Sequence, residues 1–422
     1  MIHPSFLVMI GIYFVYKCIV YELYLVCQYK MIKIYDKIDT IILTKNKQND
    51  IIDMYQIKSK GAARYKAVTM KYHKGGSQML KVLCTAEFDD VWEEKMKEYC
   101  DIKRVGFSLT KEPKDRLNEE QLIEALQGVD VFIVGYEKVT ENVLYHAPDV
   151  KLLLSVRDGP EENIDIKACT KLGIPVLFSA GRCGRSVPEF TFLLIMTLAK
   201  PLIKVVEEVR AGNWIKENDL KFRRINENST EVYGKTLGIV GLGRNGLGLA
   251  TRAQAFGMKV IGYDPFVNAD KMKEMDIEVY DLDEVMKQSD YVVLLARVTE
   301  ENKGMIGEKE IGMMKKSACI VNTGRAALLN MDALFKALKE DRIRGAALDV
   351  LDEEPPRKDH PIYEIDPDKL IVTPHTAGVS VERITFQSRV LNEHLQNYLK
   401  GKVPQSFCNR DVLETEQFKE RG

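Results

Sequence analysis

The sequence predicts an α/β protein with two domains, each built on a doubly wound parallel sheet. Apolar runs of strand length alternate with amphipathic segments of helix length from residue 79 onward, which is the pattern of repeated βαβ units. A glycine-rich turn at 241–246 lies near the start of a second series of such units. The length of 422 residues also exceeds what one ordinary hydrophobic core supports.

In the first series, strands are predicted at 80–88, 129–135, 150–156 and 174–179. Helices are predicted between them at 89–99, 118–128, 140–147 and 164–173. The apolar segment 186–212 predicts one long helix that interrupts this alternation. In the second series, strands are predicted at 236–241, 258–264, 290–296, 318–324, 344–350 and 369–375. An amphipathic helix over 382–401 ends this series.

The composition is that of a soluble globular protein, with 45% apolar and 29% charged residues. A net charge of -1 provides no field that would attract nucleic acid or an anionic membrane, so neither is expected as a partner. The eight cysteines form no CxxC pair and have no metal-ligand spacing. They predict free thiols in a reducing cytoplasm, with no disulfide framework and no metal site.

Residues 1–78 do not share the pattern of the rest of the chain. The apolar run 6–16 is followed by Lys17 and Glu22, which makes a marginal membrane helix and a poor signal peptide. Lys74-Gly75-Gly76, just before Met79, can be encoded by a purine run like a bacterial ribosome-binding site. We expect the natural protein to start at Met79. A membrane anchor formed by residues 1–29 is the alternative.

The segment Gly241-Leu242-Gly243-Arg244-Asn245-Gly246 predicts a dinucleotide site, because it follows a strand and begins a helix. Gly241 suits the tight turn, Gly243 the close approach of a pyrophosphate, and Gly246 the packing of helix on strand. Asp264 ends the next strand, where an acid binds ribose hydroxyls and repels a 2′-phosphate. The site therefore favours NAD over NADP. The alternative for Asp264 is a cap on the turn at Pro265.

Three polar side chains follow predicted strands of the second series: Arg325, Glu354 and His375. Ligands of open α/β sheets bind at the carboxyl ends of strands, so these three can converge on one crevice. Arginine binds a carboxylate bidentately, and a histidine oriented by a carboxylate exchanges protons near neutral pH. The set suits reduction of a 2-keto acid. A surface arginine and a solvated loop acid are the alternatives for Arg325 and Glu354.

Four segments carry a resemblance to a known family: GKTLGIVGLGRNG (234–246), VNTGRAALLNMDALFKAL (321–338), GAALDVLDEEP (345–355) and TPHTAG (373–378). Over roughly 80–405 the chain resembles the D-isomer-specific 2-hydroxyacid dehydrogenases. By this resemblance Arg325 binds the substrate's carboxylate and carbonyl, His375 is the general acid/base, and Glu354 is its partner. The resemblance also implies cofactor contacts from Arg244, Asn245, Asp264, Thr323, Asp349 and Gly378.

The resemblance further implies a Rossmann NAD domain inserted into a discontinuous flavodoxin-like catalytic domain. The expected segments are 79–184 and 375–410 for the catalytic domain, 185–374 for the NAD domain, and 411–422 for a tail. Hinges are expected near 182–186 and near 375, and a homodimer is expected through the NAD domain.

Three segments depart from the commonest family pattern. Leu295-Ala296-Arg297 stands where the family usually has His-x-Pro, and Ala326-Ala327 replaces a Gly-Gly. The expected substrate loop, beginning Arg157-Asp158-Gly159, carries three acids and a proline where glycines are usual. If Asp158 or Glu161 faces the crevice, a doubly charged phosphate substrate is disfavoured; solvated loop acids are the alternative.

Together these features predict NAD-dependent hydride transfer at C2 of a small D-2-hydroxy or 2-keto acid, with His375 as acid/base. The alternative is an NAD-sensing binding protein on the same scaffold, like the corepressors that share it.

Overall fold

The computed structural model describes residues 79–214, 216, 219–404 and 406–421. The expectations for residues 1–78 lie outside this part of the chain. Within it, no helix has both the length and the apolar character that crossing a membrane requires.

The first sheet has five parallel strands, β1 (Leu80–Cys84), β2 (Cys100–Arg104), β3 (Val131–Val134), β4 (Leu152–Ser155) and β5 (Val176–Phe178). Their order, β2-β1-β3-β4-β5, is that of flavodoxin-like folds. Strands β3 and β4 are buried at every position, as expected where helices cover both faces of a sheet. The edge strand β2 was not predicted, because its sequence CDIKR is largely polar.

The second sheet has seven parallel strands: β6 (Thr236–Val240), β7 (Lys259–Tyr263), β8 (Ile277–Val279), β9 (Tyr291–Leu294), β10 (Cys319–Asn322), β11 (Gly345–Leu348) and β12 (Leu370–Val372). Their order is β12-β11-β10-β9-β6-β7-β8, which is the doubly wound order of dinucleotide-binding domains with one further strand. The predicted fold class is confirmed.

The helices of the first series are α1 (Asp90–Lys97), α2 (Phe107–Thr110), α3 (Glu119–Ala125), α4 (Glu141–Tyr145) and α5 (Ile166–Lys171). The segment predicted as one long helix is two, α6 (Ser186–Ala199) and α7 (Leu202–Arg210). The break falls at Pro201, which lacks an N–H donor and drives Lys200 into an extended conformation. An unpredicted helix, α8 (Leu220–Asn228), follows.

The helices of the second series are α9 (Arg244–Ala255), α10 (Ala269–Glu274), α11 (Leu282–Gln288), α12 (Glu308–Gly312) and α13 (Met331–Lys339). The chain then returns to the first sheet through α14 (Glu382–Leu399), and it ends in α15 (Glu416–Arg421). Leu391 and Leu395 of α14 are buried with the apolar residues of β1 and β3, and so are Val412 and Phe418. The first domain is therefore discontinuous.

Candidate active site

The carboxyl ends of three neighbouring strands carry the predicted chemical groups. Arg325 follows β10, Glu354 follows β11 and His375 follows β12, and these strands are adjacent in the sheet. His375 Nδ1 lies 2.7 Å from Glu354 Oε2. Because an ionised carboxylate only accepts hydrogen bonds, this contact places the proton on Nδ1 and leaves Nε2 for another partner.

Glu354 is itself held in place. Its second oxygen, Oε1, accepts a hydrogen bond from the Leu351 N–H at 2.9 Å. The side chains of His375 and Glu354 are 53% and 37% exposed, so the pair lies open to a ligand rather than in the core.

Asp349 fixes the turn that carries His375. It is fully buried, and its carboxylate accepts the N–H groups of Thr376 and Ala377, each at 2.8 Å. The Thr373 hydroxyl donates to the same carboxylate at 2.6 Å. These bonds keep His375 at a φ of +54°, a left-handed conformation that costs a non-glycine residue about 1–2 kcal/mol. In this structure Asp349, which the family resemblance links to the cofactor, positions the histidine.

The Arg325 guanidinium bridges the two domains. Its Nη1 donates to the Gly324 carbonyl at 2.9 Å, and its Nη2 donates to Glu162 Oε1 at 3.0 Å. The buried Asn322 accepts the Gly324 N–H at 3.1 Å and donates to the Arg325 carbonyl at 3.0 Å. Asn322 thus sets the direction of the arginine. Sequence reasoning missed it, although a polar residue ending the apolar strand CIVN was a usable signal.

The substrate loop contacts the NAD domain through its acids. Glu162 also accepts a hydrogen bond from Arg157, and Glu161 pairs with Arg297 at 2.8 Å. Arg297 belongs to the segment that replaces the family's His-x-Pro. The loop acids are therefore not simply solvated, since each of these two meets an arginine of the NAD domain.

Asp158 points to the expected hinge. Its carboxylate accepts the Gly181 N–H, and the Arg182 and Arg244 side chains lie near it. Although the residue has an exposed surface, the protein around its carboxyl group removes water and raises the pKa of Asp158 above its usual value. Gly159, the third residue of the loop, lies next to the Glu162 side chain.

The glycines predicted to hold a dinucleotide form a cradle between β6 and α9. Gly241 has a φ of +102°, and a Cβ there would overlap the backbone of Ala296. A Cβ on Gly246 would overlap the Gly241 carbonyl. Gly243 is the N-cap residue of α9 and makes no side-chain hydrogen bond to the helix. The first N–H groups of α9 therefore remain open to a pyrophosphate. The cradle fits the dinucleotide.

Asp264 ends β7 beside this cradle. Its Oδ2 accepts the Leu242 N–H at 2.9 Å, and its Oδ1 accepts the Phe266 N–H at 2.9 Å. It thus orders the glycine turn and also caps the turn at Pro265, which is the alternative interpretation of this residue, while its binding of ribose hydroxyls stays a prediction.

The other expected cofactor residues lie around the hinge. Asn245 is in the first turn of α9, while the Arg244 side chain lies against Gly181. The Thr323 hydroxyl bonds that of Thr191 in α6 at 2.6 Å. The Gly378 carbonyl lies 3.5 Å from the Cys183 thiol.

The fold and the site together define a nicotinamide-dependent oxidoreductase. A family model described as D-isomer specific 2-hydroxyacid dehydrogenase, NAD binding domain, matches residues 192–377. A glyoxylate reductase of Korarchaeum cryptofilum is 33% identical over 298 residues, which are 70% of this chain and 88% of that protein. The chain therefore belongs to the D-isomer specific 2-hydroxyacid dehydrogenase family, and its cofactor is NAD.

Two other proteins that are similar to this chain are named for different substrates. A D-3-phosphoglycerate dehydrogenase of Methanocaldococcus jannaschii is 34% identical over 341 residues, 80% of this chain. The chain spans only 61% of that enzyme's length. The structure of D-lactate dehydrogenase from Aquifex aeolicus, complexed with NAD and lactic acid, has a TM-score of 0.62 and 28% identity. That comparison covers 76% of this chain and 96% of the other.

Proposed function

We propose that the protein uses NADH to reduce a small 2-keto acid to the D-2-hydroxy acid, with His375 as the proton donor. The observation that carries this proposal is the 2.7 Å contact between His375 Nδ1 and Glu354. It leaves Nε2 as the acid, at the same sheet edge as Arg325. The bound nicotinamide supplies the hydride that C2 receives.

The roles of the residues follow from their hydrogen-bonding groups. Arg325 holds the substrate's carboxylate with its planar fork and so orients the keto group. His375 Nε2 donates its proton to the carbonyl oxygen as the alkoxide forms. Glu354 keeps the imidazole in the required tautomer and stabilises its protonated form before transfer.

The reaction is tested by following NADH oxidation with a panel of 2-keto acids that includes glyoxylate, hydroxypyruvate, pyruvate and 2-ketobutyrate. We expect turnover with at least one of them. Binding of NADH without turnover of any would instead support the NAD-sensing binding protein.

Asp264 is expected to make the enzyme prefer NADH to NADPH. Its carboxylate repels a 2′-phosphate by about 1–3 kcal/mol, which is a preference of roughly 10–100-fold in kcat/KM. Asp264→Asn keeps an acceptor for the Leu242 N–H but loses the charge, so the preference should shrink about tenfold. Asp270→Asn removes the same charge from the exposed start of α10 and should leave it unchanged. Equal use of both cofactors by the unmodified enzyme would contradict this role.

We also propose a homodimer formed through the exposed apolar face of α7. Leu202, Val206 and Val209 recur at helical spacing and are 55%, 39% and 47% exposed. The nearby Trp214 is 78% exposed. A group of neighbouring exposed apolar side chains favours burial against another protein surface. The family resemblance indicates that the partner is a second copy of the chain.

The dimer is tested by light scattering after gel filtration. The unmodified protein should have twice the mass of one chain, and Val206→Glu with Val209→Glu should be monomeric. Leu109→Glu, which alters an exposed leucine of α2, should remain dimeric. A monomeric unmodified protein would rule the interface out.

We place the enzyme in the cytoplasm. All six cysteines in the described part of the chain are free, which suits a reducing compartment. Fractionation of cells with an antibody to the native protein tests this assignment, and recovery in the membrane fraction would contradict it.

A further inference from the structure

One carboxylate, that of Glu162, lies between two arginine side chains. Its Oε1 accepts a hydrogen bond from Arg325 at 3.0 Å, and its other oxygen accepts one from Arg157. Arg157 lies in the same loop, whereas Arg325 comes from the NAD domain. Glu162 therefore binds the guanidinium of Arg325, the same group that the proposed function assigns to the substrate's carboxylate.

Glu162 differs in this respect from the other acids of its loop. Glu161 pairs with Arg297, whose side chain is 84% exposed. Asp158 accepts the Gly181 N–H at the hinge. Of the three acids, Glu162 is the one that hydrogen-bonds Arg325 of the proposed substrate site. The sequence-based expectation named Asp158 or Glu161 as the acid that would face the crevice, and it did not include Glu162.

The charges of the cluster set what the site accepts. Arg157 and Arg325 carry two positive charges, and Glu162 cancels one of them. When a substrate carboxylate binds Arg325, Glu162 loses the hydrogen bond from Arg325 to its Oε1. Glu162 stays nearby, because its Oε2 still accepts the hydrogen bond from Arg157. The negative charge of Glu162 then remains beside the bound substrate. A second anionic group there is repelled, whereas a hydroxyl can donate to the carboxylate.

We infer that Glu162 restricts the enzyme to 2-keto acids with a single negative charge and a neutral or hydroxylated tail. This rests on the proposed function, since it assumes that Arg325 binds the substrate's carboxylate. Glu162 thus determines substrate specificity, although neither proton transfer nor cofactor binding requires it.

The test compares hydroxypyruvate with 3-phosphohydroxypyruvate, which differ only by the phosphate. For the unmodified enzyme, kcat/KM should favour hydroxypyruvate by about tenfold or more. Glu162→Gln keeps the size of the side chain but loses the charge, so this ratio should fall on the order of tenfold. Glu162→Asp keeps the charge and should stay near the original ratio. Glu161→Gln is the matched control and should change the ratio less than about twofold.

A binding measurement separates failure of this inference from failure of the proposed reaction. D-glycerate and 3-phospho-D-glycerate are titrated into the enzyme–NADH complex by calorimetry, which requires no turnover. The ratio of the affinities for D-glycerate and 3-phospho-D-glycerate should fall about tenfold from the unmodified protein to Glu162→Gln. An unchanged ratio in Glu162→Gln, a preference of the unmodified protein for the phosphorylated acid, or binding of neither acid would overturn the inference.

Discussion

Replacing His375 by alanine should lower kcat by about 10²–10⁴-fold, which is the usual contribution of a positioned general acid. The affinity for NADH should change little, because His375 follows β12 and hydrogen-bonds Glu354, whereas the glycine cradle lies at β6. Steady-state rates with the best 2-keto acid, together with a fluorescence titration of NADH, measure both quantities.

A second histidine provides the control for this substitution. His146 is exposed at the end of α4, where its ring contacts the Asn142 carbonyl of the same helix and lies edge-on to the neighbouring Tyr145 ring. His146→Ala should therefore leave kcat unchanged. A near-normal rate in His375→Ala would mean that another group supplies the proton.

Replacing Arg325 by lysine should reduce kcat/KM by about 10–100-fold, with KM raised and kcat lowered together. The positive charge remains, but the planar fork that binds a carboxylate through two parallel hydrogen bonds is lost. Hydrogen bonds to charged groups contribute about 1.5–3 kcal/mol, which sets the size of the effect. Misorientation of the keto group explains why kcat should fall as well.

Arg297→Lys is the matched control, since Arg297 also pairs with an acid of the substrate loop but is exposed. Its kcat/KM should stay within a few-fold of the original, as expected for a surface ion pair. If Arg325→Lys behaved in the same way, the substrate's carboxylate would have to bind elsewhere.

Most of the fold could be predicted from the sequence because buried parallel strands are continuous apolar runs. Strands such as 152–155 and 291–294 are of this kind, and their interiors are buried at every position. The edge strands 100–104 and 277–279 escaped prediction because one is largely polar and the other has three residues. The prediction of one long helix over 186–212 was wrong at Pro201, because proline has no N–H to donate and ends the helix despite the apolar periodicity.

Strand order predicts which side chains of the candidate site lie near one another. Strand order predicted that Arg325, Glu354 and His375 lie at one sheet edge. The pairing of Glu354 with His375 was implied only by the family resemblance, and the two side chains are in contact in the structure. The contacts of Glu162 with Arg325 and of Glu161 with Arg297 could not be predicted, since each joins loops of different domains that only the three-dimensional arrangement brings together. The role of Asp349 in holding the histidine turn likewise depends on a local backbone geometry that sequence does not reveal.

The central claim is hydride transfer from the nicotinamide to C2 of a 2-keto acid, with formation of the D-hydroxy acid. It is tested most directly by reducing the best 2-keto acid other than glyoxylate, whose product has no D- and L-forms, with NADH deuterated at C4 of the nicotinamide. The product is then analysed by mass spectrometry and on a chiral column. We expect one deuterium at C2 of the D-isomer when the transferred face carries the label. An L-product, or a hydroxy acid with no deuterium at C2 from either labelled face, would contradict the claim.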